Sequence, residues 1–274
     1  MAQTSRVLQP LSMGDLFDEV FSLYRNNFVL IVGITGLVNI PINIFTKLWE
    51  SSLVRGSPFR DITSTDLVTP VVLLLLSLVS LYLSQAALTK AIAERYLGHA
   101  SSIASAYNFA LHRFFPFVGT LFLVGLAWVV GVVTLIGWIF VFFWLIFVNP
   151  VFVVEDRAFG DAMGRSRELA KQNWGRIFLV GLLIALLTWV VSLGIGLFSR
   201  FFFGAFPQGI QAVLAGVIEG LAEALATPIG LSALVLLYFD IRVRKEGYDL
   251  EILAQEMAAR AAGTPGNVPP PTPP

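Results

Sequence analysis

Two carboxylates inside the last long apolar stretch of the chain are the first candidates for chemistry. Glu219 and Glu223 are four residues apart, so both lie on one face of a helix. Ionisable groups within a membrane span are candidates for a proton or cation pathway. If the span ends inside near Phe239, Glu223 lies about 24 Å and Glu219 about 30 Å along the helix. This depth favours a solvated position at the outer interface, with a pathway or an ion pair with Arg200 as alternatives.

A second polar feature lies inside the first apolar stretch, where Asn39 and Asn43 flank Pro41. Pro41 frees a backbone carbonyl, and the two amides lie on one face and could satisfy it. Broken helices of this kind line substrate sites in transporters, although helix packing alone also explains such kinks. Two later apolar stretches also contain a polar residue next to a proline, at Asn149 and Pro150 and at Thr227 and Pro228.

Four basic residues form a candidate anion site. Lysine and arginine at the cytoplasmic surface can hold anionic lipid headgroups. They can also act only to orient the neighbouring spans, and the two roles are compatible. The residues are Arg165, Arg167, Lys171 and Arg176.

No group of residues has the pattern of an enzyme active site or a metal centre. His99 and His112 are the only histidines, and Glu94 is the nearest carboxylate. Their 13-residue separation matches no compact zinc motif. No nucleophile motif such as GxSxG occurs, and His112 beside Arg113 is typical of a residue at headgroup level. We therefore expect no catalytic residue, no metal site and no cofactor.

Composition identifies the solvent around these residues. Hydrophobic residues make up 56% of the 274-residue chain and charged residues 13%, which is about half the charged share of a soluble domain. The net charge is zero and the basic residues are dispersed, so no nucleic-acid partner is expected. The chain has no cysteine, which excludes disulfides and thiolate sites. The composition predicts an integral membrane protein.

The two ends of the chain differ from its apolar interior. The first apolar run starts only at Phe28, after three acidic residues, so no cleaved signal peptide is expected. Residues 263–274 are rich in proline and predict a disordered tail, with docking to a proline-binding domain as the alternative. Residues 1–262 are predicted to form a single helical membrane domain.

Apolar runs long enough to cross a bilayer recur along the chain, because about 20 apolar residues in a helix span the hydrocarbon core. The run Phe114–Val154 would make one helix about 60 Å long, twice what is needed. We therefore divide it, with a turn between Gly131 and Gly137, into spans at 117–133 and 138–154. The other runs are Phe28–Phe45, Leu67–Leu88, Ile177–Phe198 and Ala215–Phe239, which makes six spans.

The distribution of lysine and arginine supports this division. With six spans and the N-terminus inside, the inner segments hold 14 basic residues and the outer loops hold four. One undivided span would leave at best twelve against six. The outer four are Lys47, Arg55, Arg60 and Arg200.

A short helical segment precedes every second span, and the segment repeats three times. Residues 12–33, 101–119 and 161–181 each contain an N-cap residue, apolar positions at helical spacing, a basic residue, an aromatic residue and Val-Gly. The predicted N-caps are Ser12, Ser101 and Asp161.

These segments predict amphipathic interfacial helices on the cytoplasmic side. Such a helix lies along the membrane surface or packs its apolar face on neighbouring spans, and we favour packing. A last interfacial helix is predicted over Asp249–Ala262. In the first copy the apolar face consists of Leu16, Phe17, Val20, Phe21 and Tyr24.

Two stretches carry a resemblance to a known family. Residues 224–253, ALATPIGLSALVLLYFDIRVRKEGYDLEIL, and residues 149–176, which begin NPVFVVED, resemble a group of prokaryotic multi-pass proteins. The group is similar to the membrane domain that accompanies some glycerophosphodiester phosphodiesterases, and the likeness covers most of residues 10–255. It implies a fold and a location. The chemistry of the bifunctional members belongs to a separate barrel of roughly 200 to 250 residues, so the resemblance implies no phosphodiesterase activity here.

The sequence supports two functional hypotheses. The first is a non-enzymatic membrane scaffold or accessory module that contacts lipid headgroups and recruits another membrane or cytoplasmic protein. The second is a transporter of a small solute or lipid that uses the kinked spans. A polar cavity between the spans would favour transport, and a fully packed interior would favour the scaffold. An intramembrane enzyme lacks any visible nucleophile and base. We expect the chain in the cell membrane of a prokaryote, with both termini in the cytoplasm.

The turn between the third and fourth spans tests this topology. Alkaline phosphatase fused after Gly137 should be active, because its disulfides form only outside the cytoplasm. The matched fusion after Gly98, at the inner end of the second span, should be inactive. An inactive enzyme at Gly137, with a cytoplasmic fluorescent reporter bright at the same site, would refute the hairpin.

Overall fold

A computed structural model describes residues 9–54, 64–134, 137–248, 250 and 254. Only positions 250 and 254 of the predicted helix Asp249–Ala262 are among them, and the tail 263–274 lies outside the described residues. Within the described ranges the chain forms ten helices and no strand. The helices are α1 (Met13–Asn26), α2 (Phe28–Val54), α3 (Ser64–Tyr96), α4 (Ile103–His112), α5 (Phe114–Val133), α6 (Gly137–Leu145), α7 (Val148–Val154), α8 (Phe159–Ala170), α9 (Trp174–Phe203) and α10 (Gln208–Glu246).

The described residues contain six helical segments that are long and apolar enough to cross a membrane, as predicted. The long apolar run divides into Phe114–Val133 and Gly137–Val154, which confirms the division. Consecutive spans pack as three hairpins: α2 with α3, α5 with α6, and α9 with α10. The chain is an all-α, multi-pass membrane protein. The other four spans are Phe28–Ser51, Val68–Tyr96, Trp174–Phe203 and Gly209–Glu246.

The fourth span is broken between α6 and α7. Pro150 has no N–H to donate to the carbonyl of Ile146, four residues earlier. At the break, the N–H of Phe147 donates to Ser166 Oγ of α8 at 3.1 Å. A neighbouring helix therefore supplies an acceptor for a backbone N–H at the break.

The short helices α1, α4 and α8 directly precede α2, α5 and α9, which confirms the order of three helix-plus-hairpin units. On α1, Leu16, Val20 and Leu23 are buried in the protein core, whereas Phe21 of the predicted apolar face is 51% exposed. The buried side of α1 packs mainly on α10. The apolar face of this helix thus covers a span of the same protein.

Ser12 caps α1 as predicted, but Ser101 does not cap α4. The cap of α4 is Ser102, which exchanges hydrogen bonds with Ser105. Ser101 is buried, and its carbonyl accepts a hydrogen bond from Arg95 Nη2 at 2.7 Å. The adjacent serine is therefore the one left free to cap the helix.

Asp161 lies in the first turn of α8, and the N-cap position is occupied by Ala158, so the predicted cap is wrong. The N–H of Phe159 donates instead to Thr120 Oγ1 of α5 at 2.8 Å. Gly119 permits this approach, because a Cβ at that position would lie 2.5 Å from the ring of Phe159. A tertiary hydrogen bond replaces the local cap.

Helices α2 and α10 approach closely through small residues of α10. A Cβ at Gly216 would lie 2.7 Å from Ile44 Cα, and one at Gly220 would lie 2.7 Å from Ile40 Cα. A stripe of small residues lets two membrane helices bring their backbones together. The stripe continues at four-residue spacing with the buried Ala212 and Ala224.

The contact between α2 and α10 also compensates for the proline inside α10. Pro228 leaves the carbonyl of Ala224 without its helical donor. Thr35 Oγ1 of α2 donates to that carbonyl at 2.9 Å. The hydroxyl of Tyr24 donates to the next carbonyl, that of Leu225, at 3.2 Å. Proline is tolerated here because neighbouring helices replace the missing donor.

Gly220→Ala should destabilise the protein, because the added methyl group meets the backbone of Ile40 and forces α2 and α10 apart. Overpacking of this kind costs about 1–3 kcal/mol, which should lower the thermal midpoint in detergent. Gly194→Ala on α9 is the matched control, since no atom lies within 4 Å of a Cβ there. Equal midpoints for the two variants would contradict the close contact.

Candidate functional site

A cavity of about 480 Å³ lies between α9 and α10, and we call it the outer cavity. Glu219 and Glu223 of α10 line it together with Asn43 of α2. The structure therefore brings three of the four predicted intramembrane polar residues to one site. The remaining polar side chains of the lining are Thr188, Ser192 and Thr227.

The two carboxylates have different partners. Glu223 Oε2 accepts a hydrogen bond from Asn43 Nδ2 at 2.9 Å. Glu219 Oε2 lies 3.1 Å from the ammonium group of Lys47. Glu219 is thus ion-paired across the α2–α10 contact, whereas Glu223 is held by a neutral amide.

The sequence predicts that Asn39 and Asn43 satisfy the carbonyl freed by Pro41, but neither amide donates to it. Asn43 Nδ2 donates to the carbonyl of Asn39 at 2.9 Å and to Glu223. The reason is the nearness of α10, which offers the amide a charged acceptor, and charge-assisted hydrogen bonds are the stronger ones. Asn39, the fourth predicted polar residue, is buried beside this contact.

The carboxylates lie toward one end of α10. Glu223 precedes Asp240 by 17 residues, which is about 26 Å along a helix. Arg200, the alternative partner of Glu219, lines a neighbouring cavity of about 500 Å³ with Glu219, but the ion pair is with Lys47. The acidic site is therefore far from the basic end of the bundle.

A second cavity, with a volume of about 550 Å³, lies farther along α10 toward Asp240, and we call it the inner cavity. It shares Thr188, Ala226 and Thr227 with the outer cavity, so the two spaces adjoin. Its lining is mainly apolar, with Gln85, Asn149 and the shared Thr188 and Thr227 as polar exceptions. The Oδ1 atom of Asn149 is buried and has no hydrogen-bond partner among the described residues.

At the opposite end of α10, Asp240 forms a buried ionic centre. Its carboxylate lies 2.9 Å from Arg176 Nε and 3.1 Å from Arg244 Nε. It also accepts a hydrogen bond from the N–H of Leu11 at 2.8 Å, and both arginines donate to the carbonyl of Leu11. One carboxylate thus joins α9, α10 and the start of α1.

A second ionic centre surrounds Glu155, at the end of α7. Arg165 of α8 lies 2.8 Å from Glu155 and 2.6 Å from Glu246 of α10. The hydroxyl of Tyr238 donates to Glu155 at 2.9 Å. Hydrogen bonds to Glu246 and Glu155 raise the pKa of the Arg165 guanidinium despite the opposing effect of its burial. This centre joins the second and third helical hairpins.

The four basic residues predicted to bind lipid headgroups have different surroundings. Arg165 and Arg176 are held in the two ionic centres. The guanidinium of Arg167 lies 4.2 Å from the ring centroid of Trp144, in a cation–π contact. Lys171 is exposed at the end of α8. The side chains of three of these residues therefore contact other residues of the protein, whereas Lys171 is exposed.

The histidines stand apart from any cluster of ligands. His112 Nδ1 lies 2.8 Å from the carbonyl of Asn108, and Glu94 pairs with Lys90 at 3.0 Å. Over the described part of the chain, no group of three His, Cys, Asp or Glu side chains is placed to hold a metal ion.

Sequence reasoning missed Asp240 and Glu155. Both lie at the ends of apolar spans, where acidic residues are normally taken as solvated. For Asp240 the available signal was an acidic residue preceding a run of arginines, as in YFDIRVRKE. Only the fold reveals that Arg176, 64 residues from Asp240 in the chain, and Arg165, on the helix that follows Glu155, complete the two centres.

Comparisons with protein-family models, curated proteins and solved structures give no match for this chain. The resemblance to the phosphodiesterase-associated membrane domain therefore stays a prediction. The functional argument rests on the residues and their geometry.

Asp240→Asn should destabilise the bundle, because it leaves Arg176 and Arg244 without their shared buried anion. Breaking a buried pair costs roughly 3 kcal/mol or more, measured as the midpoint of thermal unfolding in detergent. Glu168→Gln is the control, since Glu168 is 71% exposed and 3.9 Å from Arg165, and it should change stability by less than about 0.5 kcal/mol. Similar midpoints would show that Asp240 does not hold the inner end together.

Proposed function

We propose that this chain is a non-enzymatic membrane protein that binds a small solute or lipid in the space between α9 and α10 and moves it within or across the membrane. The observation that carries the proposal is the pair of adjoining cavities, one acidic and one apolar. A bundle that served only as a packed scaffold would not need a carboxylate facing an open space among its spans. Ionisable groups inside membrane proteins mark ligand pathways when they line such cavities.

The mobility required for transport would come from α9. Its inner end is fixed by the Arg176–Asp240 pair and by Trp174, whose ring stacks on Phe143 at 5.2 Å. Farther along, α9 packs on α10 and presents exposed apolar residues such as Trp189 and Leu197. A helix held at one end can open and close the outer cavity without disturbing the ionic centres.

We also propose that the protein resides in the cell membrane of a prokaryote, with both termini in the cytoplasm. The support is the charge distribution, since the arginines of the two ionic centres lie at the end that carries α1 and α8. Basic residues are retained on the cytoplasmic side of membrane proteins. The membrane lipids are then its nearest partners, and the acidic cavity opens toward the outer side.

A scaffold or accessory role is the second candidate, and Lys171 favours it. This lysine is exposed at the end of α8, beside Lys245, whose ammonium donates to the carbonyls of Glu168 and Lys171. Such a basic edge is suited to anionic headgroups or to an acidic protein partner. Lys171→Gln should weaken binding to phosphatidylglycerol liposomes if this role holds.

Transport can be tested through single cysteines, because the native chain has none. Ser192→Cys in the outer cavity should react with a polar maleimide far faster than Val190→Cys, whose native residue is exposed on α9 but does not line the outer cavity. In phosphatidylcholine vesicles, the protein should also accelerate transbilayer movement of a fluorescent phosphatidylcholine or efflux of radiolabelled methylammonium.

Chemical blocking of the cavity is the control for this test. The bulky maleimide adduct on Ser192→Cys should stop movement of the probes, while the maleimide adduct on Val190→Cys should leave that movement unchanged. Equal labelling rates, together with no movement of either probe above that in protein-free vesicles, would overturn the proposed function.

A further inference from the structure

We propose that the outer and inner cavities form one binding site for a single-chain cationic amphiphile, with its positive head beside Glu223 and its hydrocarbon tail in the inner cavity. This inference rests on the proposed function and names the chemical class of its ligand. It combines three observations: the charge of the outer cavity, the apolar lining of the inner cavity, and the position of their junction.

The outer cavity has the charge for a cation. Glu219 and Glu223 are its charged lining residues. Lys47 lies 3.1 Å from Glu219 and 3.2 Å from Glu50, so one ammonium group serves two carboxylates, whereas Glu223 receives a hydrogen bond from the neutral Asn43. Among the described residues no cationic side chain forms an ion pair with Glu223. A carboxylate in this setting is stabilised by an ammonium group that enters the cavity.

The inner cavity has the lining for a hydrocarbon chain. Its walls come from five spans and consist largely of leucine, isoleucine, valine and alanine. Along α10 the lining runs from Ala226 at the junction to Leu234 at the far end, a rise of about 12 Å. A hydrated ion would exchange its water there for a few polar groups, chiefly those of Gln85 and Asn149, whereas a flexible alkyl chain gains apolar contacts along most of the wall.

The volumes of the two cavities favour a ligand with one hydrocarbon chain over a ligand with two. Volumes of about 480 and 550 Å³ are those of pockets for drug-sized molecules. The polar end of the site is about 26 Å from Asp240 along α10, so it lies near the outer surface. A ligand therefore enters with its head outward and its tail toward the bilayer centre, as an outer-leaflet amphiphile already lies.

The test uses the Ser192→Cys variant in phosphatidylcholine nanodiscs and measures how amphiphiles slow its reaction with N-ethylmaleimide. Decyltrimethylammonium should protect the cysteine at a concentration at least about tenfold lower than decanol or decanoate does, which corresponds to one favourable ion pair. Tetramethylammonium, which has the head but no tail, should protect only at a much higher concentration.

Two further substitutions separate the head from the tail. Glu223→Gln keeps the shape and should raise the protective concentration of decyltrimethylammonium about tenfold or more, while Glu168→Gln, at a residue that is 71% exposed and lies outside the outer cavity, should leave it unchanged. Gly181→Leu fills the inner cavity, where a Cβ has room beside Phe142. It should weaken protection by decyltrimethylammonium and leave that by tetramethylammonium as it was.

The outcomes distinguish the inference from the proposed function. Equal protection by the cationic, neutral and anionic decyl compounds would overturn the inference and leave a binding cavity in place. Protection that is insensitive to Glu223→Gln would do the same. If none of the three compounds protects the cysteine, the inference fails, and the proposed function is then decided by the movement of the two probes in vesicles.

Discussion

Gly216 and Gly220 let the backbones of α2 and α10 approach closely. The polar contacts between these two helices depend on that approach. At this distance Thr35 reaches the carbonyl that Pro228 leaves free, and Asn43 reaches Glu223. In a bilayer each unsatisfied polar group costs several kcal/mol. The glycines therefore make it possible for a kinked helix and a carboxylate to exist inside an apolar bundle. Larger residues would separate the donors from their acceptors.

The two ends of the bundle are built on different principles. At one end, Asp240 and Glu155 pair with arginines of α8, α9 and α10, and Asp240 also accepts a hydrogen bond from Leu11, just before α1. Toward the outer end, α9 rests on α10 across a cavity. Buried ionic centres of this kind favour one arrangement of elements over others. Under the proposed function, the ionic centres hold one end of the bundle while a ligand enters at the other.

Much of the fold could be predicted from the sequence, because the length of apolar runs is set by membrane thickness. The division of the run Phe114–Val154 and the order of short helices and spans are confirmed. The caps at Ser101 and Asp161 were wrong, since the deciding donors and acceptors come from Arg95 and Thr120, which are distant or on another helix. Local patterns do not contain such partners.

For the candidate site, the spacing of Glu219 and Glu223 was enough to put both carboxylates on one helix face, and the proline and asparagine positions marked kinks. Composition and helical periodicity were enough to predict the membrane as the solvent, the number of spans and the polar residues that need partners. The partners themselves are set by packing: Lys47 for Glu219, Asn43 for Glu223, and two arginines for Asp240. The physical reason is that hydrogen bonds and ion pairs act over about 3 Å, and only packing brings residues from separate helices that close.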